Sequence, residues 1–439
     1  MIFKEITASL YPWDLHDEGV DVILDNLQNY SGVNAVYLVG LMHYEKRPLT
    51  DYYYPHNPVR KVFFPEDSRI YWQLHPEFYR DSRIKPLTST RDFLKDIDWL
   101  ELLIKSGEKR GLRVGVEISH TIVDRLRAKD EFPECIQKDI FGNRLGQILC
   151  WNNPDSRNYV LSLYRDLASN YNIYMIQTCM ILFVNRRLPD DWRGIKSEWG
   201  TNLINTDYDS LGQLLSILLG GCFCPVCQKK AKDKGIDIER VMSTVKLFAG
   251  ALHPESDFGS PETFHLRNLL KGSNVNVTEI LLEYPEIFDW IRFRCDSVTE
   301  LFKDIYDTIK SINPSIEFRY NTYIPNSEVS GLDLKLVSPY LDSVRCSDYS
   351  EQSGSKEILQ SRKTPWLLNI RRQIGDEKKF ISAIGIRPKA TPELIKEGVK
   401  ISAFCGADGL SLGHYDGATF ANLKAIREAI EENYIILQS

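Results

Sequence analysis

The chain has 439 residues, 43% hydrophobic and 26% charged, with a formal net charge of −6, the composition of a soluble globular protein that can bury one large core or two ordinary ones. Mild acidity without any basic tract excludes the electrostatic footprint of a nucleic-acid binder, and the longest apolar run, Leu211 to Gly221, is too short to cross a bilayer. Residues 1–19 hold no basic stretch leading into an apolar one, so the expectation is a cytoplasmic protein without a secretory leader.

In chain order, apolar β-rich runs alternate with stretches of helical period. A strand at 8–15 ("ASLYPWDL") leads to a helix at 19–29, and a second strand at 34–44 leads, after a long loop, to a helix at 91–110. Strand three at 112–119 and strand four at 173–183 flank a helix at 155–169, and a helix at 284–312 precedes strand five at 316–324. The remaining strands fall at 342–349, 366–374 and 409–415, with helices at 332–339, 356–362, 391–404 and 419–433. This alternation predicts an α/β protein, a single (β/α)8 TIM barrel over 1–439 with long loops after strands two and four. Both loops rise from the C-terminal face of the strands, where active sites of this fold sit. The Tyr-rich "DYYYPHNP" of the first loop reads equally as a segment packed on itself or as a wall for stacking a substrate.

Nine cysteines, an odd number, are scattered except in "GGCFCPVCQKK", where Cys222, Cys224 and Cys227 crowd together. The pattern fits a reducing compartment and one metal site better than a disulfide framework. C-x-x-C spacing lets two thiolates face one tetrahedral ion, and Cys222 adds a third sulfur. The fourth position is taken by water in a catalytic zinc site and by another cysteine in a closed, structural one. Cys150, just before a helix, is the first choice for that ligand; Cys179, inside an apolar strand, is the second. On this reading about 184–280 is a zinc-binding insertion in the barrel.

A cysteine heading "CWNNPDSR" and followed beyond strand four by C-x-C-x-x-C resembles the zinc site of the glycoside hydrolase family 42 β-galactosidases. The phrases "FGNRLGQILCWNNPDSRNYV", "CFCPVCQKKAKDKGID" and "GADGLSLGHYDGA" resemble a broad set of hypothetical glycoside-hydrolase-like barrels. The resemblance implies a structural Zn2+ held by Cys150, Cys222, Cys224 and Cys227, bracing a loop over the active-site mouth. It also implies a Glu acid/base at the end of strand four and a Glu nucleophile at the end of strand seven. This sequence departs at both places: strand four offers Gln177 and no acid, and strand seven offers Asn369, Arg371 and Arg372. Gln177 has the shape of Glu but cannot donate the acid's proton, which leaves lost hydrolysis, an acid elsewhere, or a Glu-to-Gln replacement as explanations.

Other strand ends carry polar groups that a packed core does not require. Asp348 and Glu351, directly after strand six, are the strongest candidates for a catalytic carboxylate, and Glu117 on strand three is the next. Trp13, Asp14, His43, His120, Tyr320, Asn321, Tyr323, Arg345, Tyr349, Arg371, His414 and Asp416 describe a pocket with aromatic walls, carboxylates and forked donors, suited to a polyhydroxylated ligand. Arg345, Arg371 and Arg372 read either as a site for a sugar carboxylate or phosphate or as structural partners of acids. The expected function is that of a glycoside-hydrolase-like, carbohydrate-active enzyme acting on a small glycoside. The alternatives are a sugar lyase, epimerase or isomerase using His43, His120 or His414 for proton transfer, and a non-catalytic sugar-binding barrel. The expected partner is a small carbohydrate, with no nucleic acid and no membrane; self-association stays open.

Overall fold

The computed structural model describes residues 3–42, 53–66, 68–118, 123–142, 144–179, 181, 183, 221–252, 265–266, 277–322 and 327–438. Eight strands form the barrel: β1 (Glu5–Leu10), β2 (Ala35–Met42), β3 (Arg113–Ile118), β4 (Met175–Thr178), β5 (Glu317–Thr322), β6 (Ser343–Cys346), β7 (Lys379–Ile384) and β8 (Gly409–His414). Each is parallel to the next, and β1 pairs with both β2 and β8, so the sheet closes on itself. Closure removes the exposed edges that an open sheet would leave. No described helix is long and apolar enough to cross a membrane.

Strand β1 shows how the sequence builds the wall. Glu5, Thr7 and Ser9 alternate with Ile6, Ala8 and Leu10, and all six are buried. Glu5 bonds Arg319 of β5 and Lys379 of β7, strands that do not neighbour β1, so the polar set points into the barrel. The apolar set then faces the surrounding helices, as the two-residue period of a strand requires. The helix Val20–Ser31 packs beside Phe420–Gln438, which packs beside Pro392–Phe404, which packs beside Lys356–Ile374.

The N-terminal end of the barrel is plugged by charge. The Arg319 guanidinium, fully buried, lies 2.8 Å from Glu5 Oε1 and also pairs with Glu317, and Lys379 joins both carboxylates at 2.6 and 2.9 Å. Burial pushes the Glu5 carboxyl up, but Arg319 and Lys379 outweigh it and hold the pKa down at about 2.

Two strands differ from the sequence expectation. Strand one ends at Leu10, and Pro12 opens a short helix, Pro12–Glu18, a position where a missing N–H costs nothing. The segment 366–374 is not strand seven. It is the second half of the helix Lys356–Ile374, which runs through Pro365 and buries Leu359, Lys363, Leu367, Ile370 and Ile374 along one face. Pro365 reads as a break, but this stripe, stepping by three or four residues, outweighs the lost hydrogen bond. The true β7 follows Gly375, which takes φ +75° at the end of the helix.

Of the long loop after β2, Arg69–Ile70 pairs antiparallel with Leu41 and Met42. The next turn is clamped to the helix Pro154–Asn170 through buried Asp166, which accepts bonds from Trp72 Nε1 (3.2 Å) and Tyr79 Oη (2.9 Å) and meets His75 Nδ1 at 2.7 Å.

Candidate functional site

Glu117 and Gln177 sit side by side in the β3–β4 register, near the C-terminal ends of both strands. Gln177 is fully buried, and its Nε2 donates to Glu117 Oε2 at 2.5 Å. Its Oε1 is buried with no partner among the described residues. A buried amide oxygen without a donor carries a desolvation cost.

Arg345 of β6 reaches the same interior. Its Nε donates to Ser411 Oγ of β8 at 2.7 Å, Nη1 to Asn321 Oδ1 of β5 at 2.7 Å and to Ser347 Oγ at 2.6 Å, and Nη2 to Tyr349 Oη at 2.7 Å. Burial disfavours the guanidinium, but the oxygens of Tyr349 and Tyr37 and the charge of Glu117 overcome this and hold its pKa above the usual value. Burial likewise pushes the Tyr37 phenol up, against the pull of Arg345. Glu117, Gln177, Asn321, Arg345 and Tyr349 thus form one polar constellation drawn from β3, β4, β5 and the end of β6.

A second group forms the rim at β1 and β8. The Tyr11 ring stacks on Trp13 with centroids 4.4 Å apart and on His414 at 4.8 Å. His414 meets Ser9 Oγ through Nδ1 (3.0 Å) and Tyr11 Oη through Nε2 (3.3 Å). Asp14, completely buried, accepts from Tyr11 N through Oδ2 at 3.1 Å, while its Oδ1 and the neighbouring Trp13 Nε1 have no partner among the described residues. Burial first, and the charge of Asp416 second, push the Asp14 pKa well up.

Several expected site residues lie elsewhere. Asp348 and Glu351 are engaged behind the barrel wall: Lys363 Nζ, fully buried, lies 2.8 Å from Glu351 Oε1 and 3.6 Å from Asp348 Oδ1, and donates to Ala383 O at 2.6 Å. Glu351 Oε2 accepts from Gly385 N at 2.9 Å, and Asp348 takes both the N–H and the hydroxyl of Ser350. These acids lock the β6 loop to the helix Lys356–Ile374, and each of their carboxylate oxygens already meets a protein group. The Tyr320 ring meets Phe302 of the helix Pro285–Ile312 edge-on at 5.3 Å, so it faces outward, one step out of phase with Asn321. Arg371 lies at the opposite end of the barrel, donating to Lys378 O (2.9 Å) and Asp408 Oδ2 (3.0 Å) just ahead of β7 and β8. Arg372 bonds Asn369 within its own helix, so neither arginine belongs to the mouth. His43, His120 and Tyr323 lie outside the described residues.

The four cysteines do converge. Cys150, Cys222, Cys224 and Cys227 are all buried, and their sulfurs lie within 4.8 Å of one another. Cys150 Sγ is 3.4 Å from that of Cys227 and 3.6 Å from that of Cys224, near the spacing of about 3.8 Å that a tetrahedral ion with metal–sulfur bonds of about 2.3 Å demands. The four-sulfur set therefore fits a metal, with Cys150 and not Cys179 as the fourth member. Asn153 caps the helix Pro154–Asn170, accepting from Asp155 N and Ser156 N, and so fixes the turn that carries Cys150. Asn152 Nδ2 donates to Cys227 Sγ at 3.3 Å, and Lys230 Nζ donates to Asn152 Oδ1 at 2.8 Å. Buried Arg294 stands beside the thiols; burial lowers its pKa to about 10, against the opposing pull of Cys295 first and then of Cys222 and Cys227. Any side chain at Gly221 would overlap the Arg294 guanidinium, which explains the glycine before Cys222.

Sequence reasoning missed Ser9, Tyr37 and Ser411, although polar residues at every second position of apolar strands were visible. It also missed Asn152, Lys230 and Arg294, which lie around the cysteines through tertiary packing and carry no local signal.

No family model matches the chain, and no curated protein is similar to it in sequence. Among solved structures, the β-galactosidase from the psychrophilic Marinomonas ef1 superposes with a TM-score of 0.53 at 13% identity, covering 99% of this chain and 60% of that one. The glycoside hydrolase domain of PgaB (BpsB) from Bordetella bronchiseptica gives 0.54 at 11% identity, covering 97% of each. The β-galactosidase from Bacillus circulans sp. alkalophilus gives 0.55 at 15%, covering 99% of this chain and 57% of that one. The chain thus spans less than two thirds of the β-galactosidases, and the likeness is one of fold.

Proposed function

We propose that the protein is a glycoside-hydrolase-like, carbohydrate-active enzyme working at the C-terminal mouth of the barrel, with Glu117 as its acid–base residue. The observation that carries this reading is the Glu117–Gln177 pair: a carboxylate held by an amide nitrogen, the amide's oxygen being buried with no partner among the described residues. Gln177 is then a positioning residue that orients Glu117 and receives a substrate hydroxyl, and the strand-four position of the family 42 acid has moved one strand along. Strand β7 ends in "SAI", followed by Gly385, with no acid, so the second carboxyl group of glycosidic cleavage is assigned to Asp14 or Asp416 at the rim. The barrel's superposition on named β-galactosidases and a glycoside hydrolase domain supports the substrate class. For the cysteine cluster the reading is a structural Zn2+, since four thiolates leave no position for water.

The test is turnover of a panel of nitrophenyl glycosides by the intact chain. Glu117→Gln lowers kcat by about 10²- to 10⁴-fold with the melting temperature retained, while Tyr320→Phe leaves kcat unchanged. Full activity in Glu117→Gln would overturn the assignment. A second reading, sugar isomerisation, is favoured by the Ser9–His414–Tyr11 array. It is signalled by exchange of a carbon-bound sugar proton with solvent without glycosidic cleavage.

A further inference from the structure

The two most deeply buried arginines of the barrel interior are neutralised in different ways. Arg319, at the N-terminal plug, has carboxylates of Glu5 and Glu317 in direct contact. Arg345, 1% exposed, has none: Ser411, Asn321, Ser347 and Tyr349 all accept from it as neutral oxygens, and no carboxylate among the described residues lies within 4.0 Å of it. Four of the five guanidinium N–H groups are used in this way, and one on Nη2 is left over. The charge of Glu117 acts on the guanidinium through space without touching it. A cation held in a dry interior by neutral groups is costly unless an anion completes it, and the fork geometry of Arg suits carboxylate and phosphate oxygens. Gln177 Oε1, linked to the same constellation through Glu117, is buried and has no donor among the described residues. The ligand that completes both deficits carries an anionic group and a hydroxyl.

We propose that the substrate is an anionic sugar, whose carboxylate or phosphate is received beside Arg345 and Tyr349 while a hydroxyl donates to Gln177 Oε1. The inference rests on the carbohydrate reading of the site and narrows it to acidic sugars.

The test is calorimetric titration of the intact chain with glucuronate, galacturonate, glucose 6-phosphate, glucose and galactose. The expected result is binding of an acidic sugar about tenfold to a hundredfold tighter than its neutral parent, with the uronate and phosphate arms identifying which anion the site takes. Arg345→Met, confirmed folded by its melting transition, then removes the preference, so that the acidic sugar binds no tighter than its neutral parent. Should Arg345→Met fail to fold, Tyr349→Phe, which keeps the charge, retains most of the preference, and the wild-type comparison decides alone. Equal affinity for acidic and neutral sugars overturns the inference while leaving the carbohydrate reading intact. Binding of no sugar at all overturns both, and equally tight binding of inorganic phosphate or acetate shows an anion site without sugar recognition and overturns the inference.

Discussion

At Gln177 the difference between an amide and an acid is a difference of one proton, and its neighbour sets the consequence. Glu117 Oε2 accepts from Gln177 Nε2 at 2.5 Å. A carboxyl group in place of the amide brings two acids to that separation, and they cannot both ionise. The Gln177→Glu variant therefore holds in its folded state a proton that the unfolded chain releases near pH 4. Since the folded state then binds more protons than the unfolded one, stability falls as pH rises through that window and stays low above the raised pKa. Urea midpoints from pH 4 to pH 8 are expected to drop in Gln177→Glu relative to wild type, by about 1.4 kcal/mol for each unit that the pair's pKa is raised. Parallel midpoints for the two proteins across that range show that the side chains are not in contact.

At the scale of elements, the sequence was readable where a local rule decides the outcome. Apolar β-rich runs between helical stretches marked seven of the eight strands, and the place of Cys150 just before a helix made it the first choice to join Cys222, Cys224 and Cys227. It was unreadable where tertiary packing overrides a local signal. Pro365 looks like a terminator, yet Leu359, Lys363, Leu367 and Ile370 seal the helix against the barrel on both sides of it. That misplacement moved Arg371 into the mouth and hid the partner of Glu351, since Lys363 becomes meaningful only on a continuous helix. Asp348 and Glu351 looked catalytic because they follow a strand directly, and only the Lys363 contact shows them held against the helix. The cysteine segment carries its own prediction. Pro225–Asp233 is capped by Cys224 and is followed by Ile238–Leu252, and a metal bound by the four converging thiols would hold this helical pair to the turn at Cys150. Removing the metal, with chelator or by Cys224→Ser, is expected to raise amide hydrogen exchange across 225–252 at least tenfold, with the barrel strands still protected. Unchanged exchange there means that the helices are held by apolar packing alone, and a metal content of zero in protein purified without chelator removes the ion from the account.

On the scale of the whole molecule, the two ends of the barrel divide the labour. Among the described residues, the C-terminal end leaves Gln177 Oε1, Asp14 Oδ1 and Trp13 Nε1 without hydrogen-bond partners; at the N-terminal end Glu5, Arg319, Glu317 and Lys379 pair with one another and join β1, β5 and β7 across the interior. Polar deficits at one end are tolerable because the other end fastens strands that are distant in sequence. That fastening titrates. With its pKa held at about 2 against an ordinary 4.5, the Glu5 carboxylate contributes stability that is fully present above pH 4.5 and is lost as pH falls toward 2. The shift corresponds to about 3 kcal/mol, a sizeable part of the stability of a typical domain. Glu5→Gln is accordingly expected to be less stable than wild type by at least that amount at pH 7, since Arg319 then keeps only Glu317 as a direct counter-charge. The deficit shrinks as the pH approaches 2, where the wild-type carboxyl also takes up its proton. Denaturant midpoints of both proteins at pH 7, 4 and 2 measure this directly. A deficit that stays constant across the series assigns the loss to packing in place of charge, and the plug then holds the barrel by shape rather than by its ion pairs.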